Sequence, residues 1–106
     1  MILEAVTIKV MRGLESEFEA SFSEAQGLIA NSPGYISHEL HRGLERSNQY
    51  LLLVRWQSLE ANTEGFRKSD EYQHRKKLLH PFYDPFPDVK HFTPVAGIGN
   101  TETEET

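Results

Sequence analysis

The sequence predicts an α+β protein of ferredoxin-like topology, in which a β-α-β-β-α-β chain forms one sheet with the helices on one face. Hydrophobic residues alternate with period two in four segments and follow a helical period in two others, in the order of the split βαβ motif. The third strand segment is apolar on both of its faces, which indicates that the sheet is covered on both sides.

The first strand and the first helix lie within the N-terminal third of the chain. Residues 2–10 alternate between two faces, which indicates a strand. One face of that strand carries Ile2, Glu4, Val6, Ile8 and Val10. Residues 14–31 follow a helical period, and their apolar stripe consists of Leu14, Phe18, Phe22, Ala25 and Ile29. The sequence Asn-Ser-Pro-Gly at 31–34 then ends the helix in a turn.

The second and third strands are predicted at residues 35–42 and 49–57, on either side of a polar turn. One face of the third strand carries Tyr50, Leu52, Val54 and Trp56, and the other carries Leu51, Leu53 and Arg55. Two helical segments cover only one face of a sheet. We therefore expect the open sheet face to be covered by a second copy of the chain in a homodimer.

The second helical region is predicted to begin after Ser58, with Leu59, Asn62 and Phe66 on its inward face. Ser69 caps a second start, and this helix runs to His80. Residues 80–88 hold three prolines and three aromatic residues, which predicts an extended loop packed against its own chain or a neighbour. Residues 89–95 are predicted to form the fourth strand.

Length and composition indicate a single small domain. The 106 residues are assigned to a domain at 1–98 and an acidic tail at 99–106 that we expect to be disordered. The net charge of −5 belongs largely to that tail, so the nearly neutral body argues against nucleic-acid binding. No apolar run approaches the ~20 residues of a membrane span, no signal peptide is recognised, and cysteine is absent, so we expect a cytoplasmic protein.

One basic cluster stands out in the second helical region. Its members are Arg67, Lys68, Arg75, Lys76 and Lys77. We interpret the cluster as the solvated face and C-terminal end of a helix, with an anion-binding patch as the alternative.

The sequence predicts no metal site and no cofactor. His38 and His41 lie three residues apart on a strand, so their side chains point to opposite faces and cannot chelate one ion. The glycines are scattered and form no phosphate-binding loop, and no nucleophile motif surrounds any serine.

Asn62 lies on the predicted inward stripe between Leu59 and Phe66. A buried amide without partners costs about 1–3 kcal/mol, so it must form hydrogen bonds. Either it bonds to backbone at a helix irregularity near Gly65, or it lines a pocket and presents a polar group to a ligand. Likewise, Tyr72 and Phe66 are either core residues or the aromatic walls of that pocket.

Three stretches of the chain resemble the antibiotic biosynthesis monooxygenase family. They are the strand-to-helix run LLLVRWQSLEANTEGFRKSDEYQH, the turn NSPGYISHEL and the loop DPFPDVKHF. The resemblance covers residues 2–95, and it is carried by the order and spacing of these motifs. It implies a dimeric α+β barrel, which agrees with the third strand that is apolar on both faces.

The resemblance also implies a chemistry. Family members in polyketide pathways oxidise phenolic anthrones with O₂ without metal or flavin, and the substrate carbanion supplies the electrons. They hold the substrate with an Asn, a Trp and a Tyr on the second helical region. Asn62 and Tyr72 match as catalytic residues, and we assign Phe66, at the Trp position, and His74 as substrate-binding residues. The implied ligand is a small planar aromatic or polyketide-like molecule, apolar or phenolic.

One alternative function remains open, and a second family activity is not expected. Because Phe66 replaces the Trp and the family's Arg has no clear counterpart, a non-catalytic dimeric binding module of the same fold is the alternative function. Other family members degrade haem with a first-strand Asn, a Trp and an axial His. Here those positions are Val6, Phe66 and Lys76, which predicts no tight haem complex.

Overall fold

The computed structural model describes residues 1–83 and 87–99. The predicted tail lies outside the described residues except for Gly99, as do residues 84–86 of the predicted loop. Four strands form one antiparallel sheet in the order β2-β3-β1-β4. They span Ile2–Lys9 (β1), Tyr35–Arg42 (β2), Gln49–Trp56 (β3) and Asp88–Phe92 (β4). The helices are Glu15–Ala30 (α1) and Asp70–Leu79 (α2), so the ferredoxin-like order is confirmed.

The core lies between the helices and one face of the sheet. The apolar stripe of α1 is buried at Phe18, Phe22, Ala25 and Ile29. It meets the predicted inner face of β3, where Tyr50, Leu52, Val54 and Trp56 are all buried. The alternation in the sequence therefore selects the face of each strand that packs against the helices.

The connection between β3 and α2 is irregular. It contains a π-helical turn, Ala61–Gly65, followed by a 3₁₀ turn, Phe66–Lys68. Ser58 accepts a hydrogen bond from the Ala61 N–H at 3.1 Å, so this serine caps the region as predicted. The prediction for Leu59 is wrong: it is 40% exposed, because the widened turn directs inward only Asn62 and Phe66 of the three predicted positions.

Gly34 sets the position of this π-helical turn. Its φ angle of +86° lies in the left-handed region, and a Cβ added to it would lie 2.5 Å from the Cβ of Ala61. Its carbonyl accepts a hydrogen bond from the Gln57 N–H at 2.7 Å. The glycine therefore allows the start of β2 to approach the turn that carries Asn62.

The C-terminal part of the fold differs in detail from the prediction. His80–Phe82 forms a 3₁₀ turn, and Tyr83 pairs with Val10 in an isolated bridge, so this part of the loop packs on its own chain. β4 ends at Phe92, three residues earlier than predicted. No helix within the described residues is long and apolar enough to cross a membrane.

The opposite face of the sheet is covered by no element within residues 1–83 and 87–99, and we call it the open face. On β1, β3 and β4 it carries Leu3, Ala5, Leu51, Leu53 and Phe92, of which Leu51 and Phe92 are 40% and 50% exposed. On β2 it is polar, because Glu39 binds Arg55 at 2.9 Å and His41 at 2.6 Å. The open face thus has an apolar part that lies between the polar β2 edge and the charged Asp88 and Lys90 of β4.

Candidate active site

Asn62 is buried inside the fold although it lies in an irregular turn. The π-helical geometry inserts one residue into the helical turn, and the Phe66 N–H bonds to the carbonyl of Ala61. The Asn62 side chain is 1% exposed. Turns of this kind occur frequently at functional sites, because they redirect a side chain that a regular helix would place elsewhere.

The Asn62 amide has one partner and one unpaired group. Its Oδ1 lies 2.8 Å from Nε2 of His91 on β4, and this nitrogen donates when the imidazole carries its proton there. Its Nδ2 is buried with no hydrogen-bond partner among the described residues. The side chain therefore does not bond to backbone near Gly65, and it offers a free donor.

A cavity lies beside this amide, and we call it the Asn62 cavity. Its volume is about 60 Å³, and it adjoins an outer cavity of about 180 Å³. The two cavities share Arg67, Tyr72, Lys76, Tyr83, Pro87 and Val89. The inner cavity is also lined by Glu4, Val6, Ile8, Asn62, Phe66 and Arg75.

Aromatic rings form one wall of the Asn62 cavity. Phe66 lies with its ring centroid 5.4 Å from that of Tyr72, at an interplanar angle of 85°. Behind Phe66, the Trp56 ring lies at 5.8 Å and is fully buried. The structure therefore brings together Asn62, Phe66 and Tyr72 in one lining, with Trp56 as their support.

His74 is not part of this arrangement. It lies on the exposed side of α2 and does not line the Asn62 cavity. His38 and His41 point to opposite faces of β2, as predicted, because His38 bonds to Tyr35 and Gln26 while His41 bonds to Glu39. Among the described residues, no three His, Cys, Asp or Glu side chains come close enough to hold a metal ion.

Glu4 is a residue of the cavity that sequence reasoning did not single out. It is 6% exposed, and its Oε1 accepts a hydrogen bond from Nε1 of Trp56 at 3.0 Å. Its Oε2 lies 3.7 Å from Nη2 of Arg67. A signal was present in the sequence, because Glu4 is an acid on the otherwise apolar face of the first strand.

Arg75, a member of the basic cluster, is a second lining residue whose aromatic contacts the sequence did not reveal. Its Cζ lies 5.9 Å from the ring centroid of Phe66 and 6.0 Å from that of Phe22. Burial lowers the pKa of its guanidinium, and the nearby Tyr83, Glu4 and Tyr72 oppose that effect. The interpretation of the basic cluster as a solvated face is therefore wrong for Arg75, which lies between aromatic rings.

A family model described as antibiotic biosynthesis monooxygenase matches residues 1–77, well over half of the chain. The chain belongs to this family. The sequence-based resemblance is thus confirmed.

Several known proteins are similar to this family member. The uncharacterised Bacillus subtilis protein YczJ is 50% identical over 95 residues, which cover 90% of this chain and all of that protein. A candidate antibiotic biosynthesis monooxygenase from Bordetella bronchiseptica is 32% identical, with a TM-score of 0.85 over 89% of this chain and 96% of its own. SnoaB, a cofactor-independent oxygenase from Streptomyces nogalater, shares the fold at 19% identity, with a TM-score of 0.80 over 93% of this chain and 97% of its own.

This antibiotic biosynthesis monooxygenase family member also has an open groove between α1 and β2, with a volume of about 450 Å³. Its polar side chains bond to one another. Glu19 accepts from the Tyr50 hydroxyl at 2.6 Å and from Arg42 at 3.2 Å, and burial raises the pKa of Tyr50 to about 12. The groove is larger than the Asn62 cavity, but none of its described buried polar atoms lacks a partner. The unpaired amide therefore makes the Asn62 cavity, and not this groove, the candidate ligand site.

Proposed function

We propose that the protein is a cofactor-independent monooxygenase that acts on a small planar aromatic or polyketide-like substrate. The single observation that carries this proposal is the buried, unpartnered Nδ2 of Asn62 at a cavity walled by Phe66 and Tyr72. A mostly apolar pocket with a few placed polar groups is the usual form of a site for small aromatic molecules. The description of SnoaB as a cofactor-independent oxygenase supports the same reaction class.

The proposed reaction uses the substrate as its own reductant. An anthrone-type substrate loses a proton from its ring CH₂, and the resulting carbanion is stabilised by conjugation, through the flanking aromatic rings, with the carbonyl oxygen on the opposite side of the central ring. O₂ adds to this carbon, and loss of water from the hydroperoxide gives a quinone. One oxygen atom enters the product, and the other leaves as water.

The residues of the cavity have separate tasks in this proposal. The Nδ2 group of Asn62 donates to a substrate oxygen that gains negative charge as the carbanion forms, which lowers the barrier to proton loss. Tyr72 offers a phenolic donor, and the Phe66 ring packs against the substrate plane. His91 acts on Asn62 as a positioning residue, since its bond to Oδ1 holds the amide with Nδ2 free.

Oxygen uptake tests this function directly. Protein stripped of metal and flavin is mixed with dithranol, a phenolic anthrone, and the oxygen consumed above the buffer blank is recorded. The proposal predicts one O₂ for each quinone formed, and predicts that Asn62→Leu reduces the rate at least about tenfold. Lys77→Gln serves as the matched control, since it alters an exposed residue of α2 outside the Asn62 cavity.

A binding module is the second candidate function. The observation that favours it is Phe66, which takes the place of the family's Trp. Tight binding of dithranol by wild type, lost in Asn62→Leu, together with oxygen uptake no faster than the blank, would select this alternative. Such a module would keep the cavity without stabilising the carbanion.

The proposed partner is a second copy of the chain. Support comes from the apolar part of the open face, which bears five apolar side chains and is covered by no element among the described residues. Family members of this fold are generally dimeric. Pairing of two open faces would bury these side chains and leave the helices on the outside.

A further inference from the structure

The charges around the Asn62 cavity do not balance. Its lining holds one carboxylate, from Glu4, and three cations, from Arg67, Arg75 and Lys76. Arg67 lies beside the Glu4 carboxylate, and Lys76 is exposed to solvent. Arg75 is partly buried, and no carboxylate of the described residues forms a salt bridge with it. The carboxylate near Arg75, that of Glu4, already pairs with Arg67, so the lining carries more positive than negative charge.

The contacts of Arg75 satisfy only part of its bonding capacity. The rings of Phe22 and Phe66 lie within about 6 Å of its Cζ, and ring faces attract a cation. A ring face does not accept the in-plane hydrogen bonds that a guanidinium forms. Those planar donors fit a carboxylate or another anionic oxygen best.

A second buried donor faces the same space. The Nδ2 of Asn62 has no partner among the described residues, whereas the amide and carboxylate oxygens of the lining are engaged: Oδ1 of Asn62 with His91, and both oxygens of Glu4 with Trp56 and Arg67. The cavity thus offers free donors and a positive charge, and the hydroxyls of Tyr72 and Tyr83 can donate as well as accept. A ligand rich in anionic oxygen is the complement of such a lining.

We propose that the Asn62 cavity binds its aromatic ligand as an anion, with Arg75 supplying the counter-charge and Asn62 the second donor. This inference rests on the proposed function, because it uses the same cavity, and it narrows the substrate class to aromatic carboxylates and ionised phenols. Arg75 is then the residue that distinguishes a charged ligand from a neutral one of the same shape.

A pair of isosteric probes tests the charge preference. 2-Naphthoate and 2-naphthamide differ by one negative charge, and their dissociation constants are measured by calorimetry at neutral pH. The expected result is that naphthoate binds at least about tenfold more tightly to wild type. Arg75→Gln should remove that preference, and Lys77→Gln should keep it, since it removes the same charge from an exposed position of the same helix. Arg75→Lys keeps the charge, so it should retain the preference even if Arg75→Gln proves too unstable to study.

The ionisation of a bound phenol tests whether the anionic ligand is a phenolate or a carboxylate. 4-Nitrophenol turns yellow on ionisation, so a site that favours the phenolate shifts its colour change to lower pH on binding. A shift with wild type that is absent with Arg75→Gln assigns phenolates to the site. A naphthoate preference without this shift restricts the ligand to carboxylates.

Three results would overturn the inference. They are equal binding of naphthoate and naphthamide by wild type, no binding of either probe together with no 4-nitrophenol shift, and an unchanged preference in Arg75→Gln. Its failure is distinct from failure of the proposed function. Dithranol turnover that depends on Asn62 while Arg75→Gln is fully active would retain the oxygenase and remove only the anion preference.

Discussion

The side chains of Asn62 and His91 lie 2.8 Å apart, although the two residues are 29 positions apart in the chain. Asn62 lies in the π-helical turn after β3, and His91 lies on β4 opposite Glu4 of β1. The contact therefore joins the irregular connection to the edge of the sheet. Because it engages Oδ1, it leaves Nδ2 as the end of the Asn62 amide that can bind a ligand.

Replacement of Asn62 by leucine tests whether its amide serves the ligand or the fold. The change removes an unpaired buried donor together with the bond to His91, so we expect the free energy of unfolding to stay within about 1 kcal/mol of wild type or to rise. Thermal melts measure this, and ligand binding should be lost in the same protein. A loss of 2 kcal/mol or more, on the order of a stranded buried group, would instead assign Asn62 to the scaffold.

Two replacements of the buried Glu4 should lower the free energy of unfolding by different amounts. Glu4→Leu leaves the Trp56 N–H without its acceptor and Arg67 without its carboxylate, so we expect a loss of about 1–3 kcal/mol. Glu4→Gln keeps an oxygen acceptor for Trp56 and should lose less. Urea unfolding followed by the fluorescence of Trp56, the single tryptophan, measures both. Equal stability of Glu4→Leu and wild type would refute the structural role.

Two glycines provide opposite expectations for the same substitution. Gly34→Ala forces a left-handed φ on an alanine and drives its Cβ into Ala61, so it should destabilise by at least about 1–2 kcal/mol. Gly27 lies inside α1 with open space where a methyl group would be added. Gly27→Ala should therefore stabilise the folded protein by about 0.5–1 kcal/mol. Denaturant titrations of both variants decide. A neutral Gly34→Ala would contradict the close approach of β2 to the π-helical turn.

The environment of His38 predicts an acid-dependent loss of stability. Burial, and secondly the charge of Arg75, lower the pKa of this imidazole below its usual 6.5. On acidification the unfolded chain therefore takes up the proton first, so stability is lost as the pH falls below that value. Between about pH 7.5 and about pH 5.5, we expect the melting temperature of His38→Gln to fall less than that of wild type. His74→Gln, which removes an exposed imidazole, should behave as wild type does.

Dimerisation through the open face predicts different behaviour of two leucines with equal exposure. Leu51 and Leu59 are each 40% exposed, but only Leu51 lies on the open face. Leu51→Glu places a charge in the proposed interface and should shift the protein towards monomer in sedimentation equilibrium. Leu59→Glu should leave the dimer intact. A wild-type protein that sediments as a 12.2 kDa monomer at micromolar concentration would refute the proposal.

Local features of the fold were predictable because they depend on neighbouring residues. The bounds of β2, the buried stripe of α1 and the caps at Ser58 and Ser69 follow from alternation, helical period and side-chain oxygens near free N–H groups. The predicted end of β4 is too late, because strand length there depends on pairing with β1, and that pairing ends where Phe92 lies opposite Leu3 near the start of β1.

The candidate site was only partly predictable from the sequence. Asn62, Phe66 and Tyr72 were found because a polar residue interrupts an inward stripe and aromatic residues flank it. The partners of these residues could not be found in this way. His91 reaches Asn62 through strand pairing, and Arg75 reaches two rings through the packing of α2 beside α1, so both contacts exist only in the folded chain.

The Asn62 cavity and the open face lie on opposite sides of one sheet. A dimer formed through the open faces would therefore carry its two cavities on its outer surfaces, each built from the described residues of a single protomer. The ligand in one cavity would be separated from the partner by the thickness of its own sheet. Such a dimer would bind two ligand molecules independently, with a hyperbolic saturation curve and a Hill coefficient of about one.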